Sequence, residues 1–414
     1  MQVDLPEPSA AARAASEALT RLIAAEISAS GGWISFARYM ELALYAPGLG
    51  YYSGGAHKFG GHRTGGDFLT APELTPLFGR TLARQVAQIL AASSPEIIEA
   101  GAGSGRLAVD LLLALDALGC APERYRILEL SGELRARQQA TLAERAPQLA
   151  GRVDWLDQLP ERFSGCLLAN EVLDAMPTHI LRWDDGHDEA PLPDVLECGV
   201  ALADGRLAMA ERPATGALLD AAMVVAAALP VVAPYRGEIN LAARAWVSEL
   251  ARRLETGALL LIDYGLPRHD LYHPQRDGGT LRCHYRHRLH DDPLWLPGLS
   301  DITSHVDFTA VAEAGFDAGL EVLGYTSQAG FLMNCGIGEL LEGTRVGAGG
   351  TASERDTVPG AAGDITAAEL RQRGAVNVLI SPNEMGELFK VIALGRGVPE
   401  PLLGFVRGDR THAL

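Results

Sequence analysis

The residues of this 414-residue chain whose types and spacing best suit chemistry are an acid and three glycines between Glu99 and Gly105. Ile97 and Ile98 precede them as in a buried strand, and the apolar-rich run 107–118 that follows has helical character. Glycines allow a sharp turn and let a ligand approach the main chain closely. The N-terminus of the following helix offers unpaired N–H groups to a polar ligand. This strand, turn and helix together predict the binding of a nucleotide-like cofactor.

The spacing of the glycines narrows the choice of cofactor. The dinucleotide fingerprint Gly-x-Gly-x-x-Gly, counted from Gly101 and Gly103, would need a glycine where the chain has Arg106. A P-loop is excluded because no Gly-Lys-Ser/Thr follows the glycines. The pattern Glu99-x-Gly-x-Gly-x-Gly105 resembles the first motif of class I S-adenosylmethionine (SAM) methyltransferases. The alternative is a strand–helix turn that needs glycines for its geometry alone.

Two acids further along the chain are candidates for holding an adenosine. Glu129 ends the second predicted strand, 125–130, where a carboxylate can accept hydrogen bonds from both ribose hydroxyls. The alternative for Glu129 is a surface charge. Asp157 follows the third predicted strand, 152–156, and is placed to meet the adenine amino group.

A second polar group, Asn170, Glu171 and Asp174, follows the fourth predicted strand, 166–169. In an open parallel sheet, ligands lie off the carboxyl ends of the strands at the switch point, which the first and fourth strands flank. These side chains should therefore face the methyl donor. The alternative is a helix N-cap with surface acids. Asp263, near the end of the fifth predicted strand, either faces the same site or only caps its strand.

The elements before the glycine turn are predicted to be helical. Helices are expected over 10–29 and 36–44, followed by a glycine-rich stretch that ends near residue 66. Thr70 and Glu73 have capping-box spacing and Pro72 suits a first turn, so a helix is predicted from residue 71 to about residue 90. This helix is either purely structural or part of a lid that closes the glycine-rich loop over the cofactor, with Thr70 and Pro72 as cofactor contacts.

Between residues 181 and 240 the pattern changes to a β insertion. Asp204-Gly205 is a hairpin signal, a helical stretch follows near 218–229, and Asn240 should cap the next helix. With strands at 258–265, 321–325 and 388–394, the count is that of a seven-stranded, Rossmann-like α/β sheet. The predicted divisions are a helical N-terminal cap and lid (1–95), a first core part (96–183), the β-rich insertion (184–240) and a second core part (241–414).

The composition argues against some partners and compartments. A net charge of −17 is unfavourable for nucleic acid and anionic membranes, which attract basic surfaces, and no apolar run is long enough to predict membrane insertion. The five cysteines form no C-x-x-C pair, which fits a reducing compartment. Asp4, Glu7 and Glu17 argue against a secretory signal. We expect a cytoplasmic protein of bacterial type, with the mitochondrial matrix as the less favoured location.

A histidine-rich segment raises the question of a metal site. His284, His287 and His290 lie close to Cys283, but their spacing matches neither H-E-x-x-H nor a compact zinc pattern. The arginines interspersed with them would repel a cation. We therefore expect a polar loop here and no metal.

Several stretches together resemble the MidA-like family, which includes a mitochondrial complex I assembly factor that is a protein arginine methyltransferase. They follow the family order over nearly the whole chain. The matching stretches are Gly66-Asp67-Phe68, Thr70-Ala71-Pro72-Glu73, Glu99 to Gly105, Ala169-Asn170-Glu171, Leu173-Asp174-Ala175-Met176-Pro177, Ile262-Asp263-Tyr264-Gly265, Asp301-Ile302-Thr303-Ser304-His305-Val306-Asp307-Phe308 and Met385-Gly386-Glu387-Leu388-Phe389-Lys390-Val391.

The resemblance implies transfer of a methyl group from SAM to a guanidinium nitrogen of a partner protein, such as a respiratory complex I subunit. Positioning supplies most of the catalysis in such a displacement. Because arginine is almost always protonated, carboxylates are expected to hold its planar fork and to take up the leaving proton. Glu171 and Asp174 are the catalytic candidates, with Glu238 and Asp263 in reserve. Alternatively, these acids hold only the SAM amino group and the sheet edge.

Two other functions remain open at this point. Methylation of a small metabolite would be favoured by a closed pocket that excludes a peptide. A SAM-binding assembly factor without turnover would be favoured by a site that lacks carboxylates near the transferred methyl group.

Overall fold

The α-helices account for much of the chain on both sides of the glycine turn. A computed structural model of the protein describes residues 5–54, 70–184, 194–228, 234–347 and 366–414. Its helices are α1 (Ala10–Ala29), α2 (Phe36–Tyr45), α3 (Ala71–Leu74), α4 (Pro76–Ala92), α5 (Arg106–Ala117), α6 (Gly132–Arg145), α7 (Gly216–Ala228), α8 (Leu241–Arg253), α9 (Arg268–Leu271), α10 (Phe308–Asp317), α11 (Gln328–Asn334), α12 (Ile337–Gly347), α13 (Ala367–Ile380) and α14 (Met385–Leu388). None of them is long and apolar enough to cross a lipid bilayer.

The strands of these residues form three sheets. They are β1 (Trp33–Ser35), β2 (Glu96–Ala100), β3 (Arg124–Leu128), β4 (Val153–Leu156), β5 (Phe163–Asn170), β6 (His179–Asp184), β7 (Asp194–Ala203), β8 (Arg206–Pro213), β9 (Tyr235–Ile239), β10 (Leu254–Leu266), β11 (Arg282–Tyr285), β12 (Arg288–His290), β13 (Asp301–Thr303), β14 (Val306–Asp307), β15 (Glu321–Ser327) and β16 (Phe389–Arg396).

The central sheet has the strand order β15-β16-β10-β5-β2-β3-β4, with the short β14 also pairing with β10. The strands β4, β3, β2, β5 and β10 are parallel, whereas β16 is antiparallel to both β10 and β15. All seven predicted strands are present in this path. The first and fourth predicted strands in chain order correspond to β2 and β5, which are neighbours in the sheet. Their carboxyl ends therefore lie side by side at one edge of the sheet.

Helices cover both faces of the central sheet, which explains why its strands are apolar almost throughout. Alternate strand residues enter two separate clusters. Ile97 and Leu260 pack on the side of α4 and α5, and Ile98 and Leu261 pack on the side of α8 and α10. Each fully buried side chain of this kind contributes about 1.5–3 kcal/mol to stability. The sheet is therefore a rigid support for the loops at its carboxyl edge.

The insertion forms a second, antiparallel sheet with the order β1-β7-β6-β9, in which β8 also pairs with β7. The predicted hairpin is confirmed, because Ala203 pairs with Arg206 across a turn in which Asp204 has φ 51° and Gly205 has φ 74°. This sheet takes in β1 from the N-terminal cap and β6, which begins at His179. Insertion and cap thus share one sheet beside the core.

The predicted helix from residue 71 to about residue 90 is wrong in one respect, because two helices meet at Thr75. Thr75 is extended (φ −162°, ψ 143°), the conformation that a residue before proline prefers, and Pro76 then begins α4. The Thr75 hydroxyl accepts a hydrogen bond from the Leu77 N–H at 3.2 Å. The Thr70 side chain makes no capping hydrogen bond, so the predicted capping box is absent.

The histidine-rich segment is a hairpin rather than the expected polar loop. His284 lies in β11 and His290 in β12, and the turn residues Arg286 and His287 have φ 47° and 62°. In the part of the chain that the structure describes, no three His, Cys, Asp or Glu side chains are grouped as metal ligands would be. The predicted glycine-rich lid segment, including Gly66-Asp67-Phe68, lies outside the described residues.

The close approach of β5 and β10 leads to a first prediction. Gly257 has φ 132°, and a Cβ atom on it would lie 1.9 Å from the Gly165 carbonyl oxygen on the neighbouring strand. Gly257→Ala should lower the free energy of unfolding by about 2 kcal/mol, measured by urea denaturation. Gly151→Ala is the control, because no atom lies within 4 Å of its Cβ position. Equal stability of the two variants would contradict this account of the strand contact.

Candidate active site

One cavity, of about 1070 Å³, opens at the carboxyl edge of the central sheet. Most of the residues singled out in the sequence line it: Thr70, Pro72, Glu99, Gly101, Gly103, Glu129, Asn170, Glu171 and Asp174. They come from four separate stretches of the chain and meet because β2, β3 and β5 end side by side. The cavity is therefore the candidate site, and its two ends differ in chemistry.

The glycine turn forms one end of the cavity. Gly101, Gly103 and Gly105 have φ 66°, 53° and 81°, a left-handed conformation that glycine adopts without strain. Gly101 and Gly103 line the cavity. Gly105 does not line it, contrary to prediction: it is the N-cap residue of α5 and packs against Gln138, whose Cα would lie 3.2 Å from a Cβ at this position. Gly105 is thus needed for close packing against α6, and only Gly101 and Gly103 border the space that a ligand would occupy.

Two buried carboxylates lie at this end. The Tyr125 hydroxyl donates a 2.6 Å hydrogen bond to Glu99, and burial raises the pKa of that carboxyl to about 7. Glu129 accepts hydrogen bonds from the Ser131 N–H at 2.9 Å and the Gln138 amide at 3.2 Å. Burial also raises the pKa of Glu129. Both acids are fixed in place before any ligand binds.

Asp157 does not join this group. Its carboxylate pairs with Arg135 at 2.7 Å and is 86% exposed, and it is not among the residues that line the cavity. β4 ends at Leu156, so the residue after it turns to the surface, where the guanidinium on α6 holds it. The predicted contact of Asp157 with adenine therefore has no support in the geometry.

The segment before α4 closes over the glycine turn. Thr70 and Pro72 line the cavity, as predicted. Glu73 follows them and accepts a hydrogen bond from the Ser104 hydroxyl in the turn itself. Arg106 also pairs with Glu73 at 3.7 Å. The acid that the sequence suggested for a capping box instead fastens this segment to the glycine turn.

The residues after β5 form the other, acidic end of the cavity. Glu171 has φ 56°, unusual for a residue with a side chain, and receives a 3.0 Å hydrogen bond from the Asn170 amide. Burial and the neighbouring Asp174 raise the pKa of Glu171 to about 8, and burial raises that of Asp174 to about 6. The Oδ1 atoms of Asn170 and Asp174 are buried without a hydrogen-bond partner in the structure. Such atoms are costly unless a ligand satisfies them.

The two reserve acids have structural roles and do not line this cavity. Glu238 accepts hydrogen bonds from the Thr280 N–H at 2.8 Å, the Thr280 hydroxyl at 2.9 Å and the Leu281 N–H at 3.3 Å. Asp263 accepts backbone N–H groups of the loop that follows β5. Both carboxylates accept main-chain N–H groups, and Glu238 also accepts the Thr280 hydroxyl. Neither therefore faces the cavity, as a catalytic acid would.

Several side chains that line the acidic end have no role predicted from the sequence: Tyr45, Tyr52, Tyr264, Asp301, Thr303 and His305. The Tyr52 hydroxyl donates to both Asp301 oxygens, at 2.9 and 3.0 Å, and its ring stacks on Tyr45 with centroids 5.5 Å apart. Of these, Tyr264, Asp301, Thr303 and His305 lie inside stretches that resemble a known family, whereas Tyr45 and Tyr52 lie outside all of them. No local sequence pattern predicts that these side chains lie together in the folded chain.

Comparison with known proteins identifies the family. The family model described as "Putative S-adenosyl-L-methionine-dependent methyltransferase" matches residues 80–326, more than half of the chain. A protein of Burkholderia thailandensis, crystallised with bound S-adenosyl-homocysteine, is 49% identical, with a TM-score of 0.89 and coverage of 99% of this chain and 100% of that one. The chain belongs to this methyltransferase family.

More distant relatives of the methyltransferase carry a more specific name. The mouse mitochondrial protein arginine methyltransferase NDUFAF7 is 29% identical over 397 residues, which cover 88% of this chain and 81% of the relative. The Drosophila melanogaster homologue is 28% identical, covering 97% of this chain and 91% of its own length. The predicted resemblance, the class I fold and the SAM cofactor are thereby confirmed.

The residues present fit SAM. A Cβ on Gly101 would lie 3.0 Å from Val172, which also lines the cavity, so glycine at this position keeps that space free for a ligand. Glu129 at the end of β3 is the acid that we assign to the ribose hydroxyls, and the unpartnered Asn170 Oδ1 is placed for the polar methionine end. Bound SAM supplies an electrophilic methyl group on a positively charged sulfur. Buried carboxylates nearby favour such a cation.

The ribose assignment gives a second prediction. Glu129→Gln should weaken binding of S-adenosyl-homocysteine to the methyltransferase about tenfold or more, because it removes charge-assisted hydrogen bonds, as measured by isothermal titration calorimetry. Asp157→Asn is the matched control and should bind like wild type, since its carboxylate contacts only Arg135 among the residues described. A large loss in the Asp157 variant would reinstate the original adenine prediction.

The raised pKa of Glu171 gives a third prediction, on stability without ligand. A carboxyl whose folded pKa, about 8, exceeds its ordinary value of 4.5 stabilises the fold at low pH and loses that contribution as pH rises through 8. Glu171→Gln lacks this loss, so its melting temperature should exceed that of wild type at pH 9 and converge with it near pH 4 to 5. Scanning calorimetry across this pH range makes the comparison. A pH-independent difference would contradict it.

Proposed function

We propose that this methyltransferase transfers the methyl group of SAM to a guanidinium nitrogen of an arginine side chain in a partner protein. The observation that carries the proposal is the buried Asp174 carboxylate, whose Oδ1 has no partner, beside Glu171 at the acidic end of the cavity. A planar, permanently charged donor of several N–H groups is the acceptor that best satisfies this arrangement.

The electrostatics of the acidic end support a cationic acceptor. Burial raises the pKa values of both Glu171 and Asp174, and the charge of Asp174 raises that of Glu171 further, so ionising both is unfavourable while the site holds no cation. A guanidinium would offset that repulsion and form charge-assisted hydrogen bonds with both carboxylates. A neutral small molecule would leave the repulsion in place. The acids therefore favour arginine over a neutral metabolite.

The roles of the two acids follow from the chemistry. As the acceptor nitrogen bonds to the methyl carbon, the carbon–sulfur bond breaks and its electron pair stays on sulfur. The nitrogen must then lose one proton, and we assign its uptake to the Glu171 carboxylate, beside the Asn170 amide. Asp174 holds a second N–H of the guanidinium and fixes its plane. Holding the nitrogen in line with the methyl group supplies most of the rate.

The names of the relatives support arginine as the methyl acceptor. Both the mouse and the Drosophila relatives are named as protein arginine methyltransferases, and this chain covers most of their length. We extend the proposal to a respiratory complex I subunit as the partner, as the family resemblance implied. A cavity of about 1070 Å³ exceeds what a drug-sized ligand requires and leaves room for an arginine side chain beside SAM. Carboxylates in that cavity also argue against an assembly factor without turnover.

The identity of the acceptor is tested by labelling. Incubation of the enzyme and radiolabelled SAM with cell lysate, followed by mass spectrometry of the labelled proteins, should place the label on arginine in one or a few proteins. Label on a small metabolite alone would overturn the proposal in favour of metabolite methylation. No transfer at all would favour a binding protein without turnover.

Glu171→Gln is the fourth prediction. The variant should lose about a hundredfold or more in transfer rate, because it removes the proton acceptor, while it still binds S-adenosyl-homocysteine like wild type. Glu321→Gln, at an exposed position on β15, is the control and should retain wild-type transfer. Full activity of Glu171→Gln would remove this residue from the proposed chemistry.

A further inference from the structure

We propose that Asp263 is the positioning residue that holds Glu171 and Asp174 in the orientation that binds the methyl acceptor. The inference rests on the proposed function and deepens it. Asp263 lies near the end of β10, next to β5 in the sheet, and is only 1% exposed. It does not line the cavity and so acts through the loop that does.

The hydrogen bonds of Asp263 are directed at the loop that follows β5. One carboxylate oxygen accepts the N–H groups of three successive residues, Val172 at 3.1 Å, Leu173 at 2.8 Å and Asp174 at 3.3 Å. The other oxygen accepts the Tyr264 N–H at 2.9 Å. A single side chain thus fixes the main chain between the two proposed catalytic acids.

The conformation of this loop needs such a restraint. Glu171 has φ 56°, a left-handed conformation that is strained for a residue with a side chain. Its N–H donates to the Ile262 carbonyl at 2.9 Å, which ties the start of the loop to β10 as well. Strain of this kind persists only where surrounding contacts impose it. Asp263 and Ile262, neighbours on β10, impose it from one side.

The remaining contacts of the loop hold its carbonyl groups. The Asn240 amide donates to the Leu173 carbonyl at 3.3 Å and to the Met176 carbonyl at 3.0 Å. The Ser304 N–H donates to the Asp174 carbonyl at 3.0 Å. These contacts come from other elements and would persist without Asp263. Its removal should therefore loosen the two acids without releasing the whole loop.

An ionised carboxylate that accepts these N–H groups is buried at a cost in free energy, because it loses its hydration. Burial and the charges of Asp174 and Glu171 raise the pKa of Asp263 well above its usual range. A neutral acceptor could bind the same N–H groups without that repulsion. A carboxyl has a use here if the three acids together attract a cationic acceptor, because a bound cation favours their ionised forms and each negative charge then deepens the potential at the site.

The test compares Asp263→Asn with wild type in complex with SAM, using as acceptor an arginine peptide from a protein that the wild-type enzyme labels. The variant should bind S-adenosyl-homocysteine within about twofold of wild type, while its kcat/KM for the peptide falls about tenfold or more. Asp409→Asn is the matched control: Asp409 also accepts a backbone N–H, that of Tyr325 at 2.9 Å, but does not line the cavity. It should behave like wild type.

The pH dependence separates positioning from a general loss of structure. The titratable groups placed around Asp263 are Glu171, Asp174, the Tyr264 hydroxyl and, in register on β16, Lys390. Because repulsion between carboxylates is mutual, a neutral residue in place of Asp263 removes its repulsion of Glu171 and Asp174 in their ionised forms, so the acidic limb of kcat/KM should move to lower pH. General destabilisation alone would not move the limb in this direction.

The possible results are distinct. Wild-type enzyme that labels no arginine overturns the proposed function and this inference with it. Wild-type enzyme that labels arginine, with unchanged kcat/KM and pH limb in Asp263→Asn, overturns the inference alone. Should Asp263→Asn fail to bind S-adenosyl-homocysteine, Asp263→Ser takes its place under the same measurements, since its smaller hydroxyl can still accept an N–H.

Discussion

The constraint on which the rest of the structure depends is the burial of carboxylates at the carboxyl edge of one parallel sheet. Glu99, Glu171, Asp174 and Asp263 are withdrawn from water, and burial raises the pKa of each. Such groups are tolerated only where hydrogen bonds, or a ligand of opposite charge, compensate for the lost solvation. The fold supplies the hydrogen bonds for some of them, and in the proposed function the cationic cofactor and acceptor would compensate for the rest.

The sheet can bear this cost because its interior is well packed on both faces. Its apolar strands are sandwiched between α4 and α5 on one side and α8 and α10 on the other. Close contacts such as that between Gly257 and Gly165 bring β10 against β5. As a result, Asp263 lies within hydrogen-bond distance of the loop after β5. The close packing of the core therefore fixes the positions of the acids.

Elements outside the central sheet complete the acidic end of the cavity, which begins with the residues after β5. Tyr45 and Tyr52 come from the end of α2 and the segment after it, whereas Asp301 and Thr303 belong to β13 of the third, small sheet. These aromatic and polar side chains face the acids that follow β5. In the proposed function, the loops of the core sheet would hold the cofactor, and the cap and the small sheet would complete the surface that receives the acceptor.

The sequence by itself determined the fold class and most of the residues that line the glycine end of the cavity. Local patterns sufficed there, because apolar strands, left-handed glycines and an acid at a strand end are dictated by residues a few positions apart. The hairpin at Asp204 and the seven strands of the sheet were predictable for the same reason.

Only the tertiary structure decided the roles of Asp157, Gly105, Glu238 and Asp263, and the partnership of Tyr52 with Asp301. Each of these depends on contacts that the sequence spacing does not encode. Whether a buried acid meets main-chain N–H groups or faces a cavity is set by the twist and packing of elements far apart in the chain. Local chemistry therefore indicated what the protein binds, and packing decided which acids remain available to act.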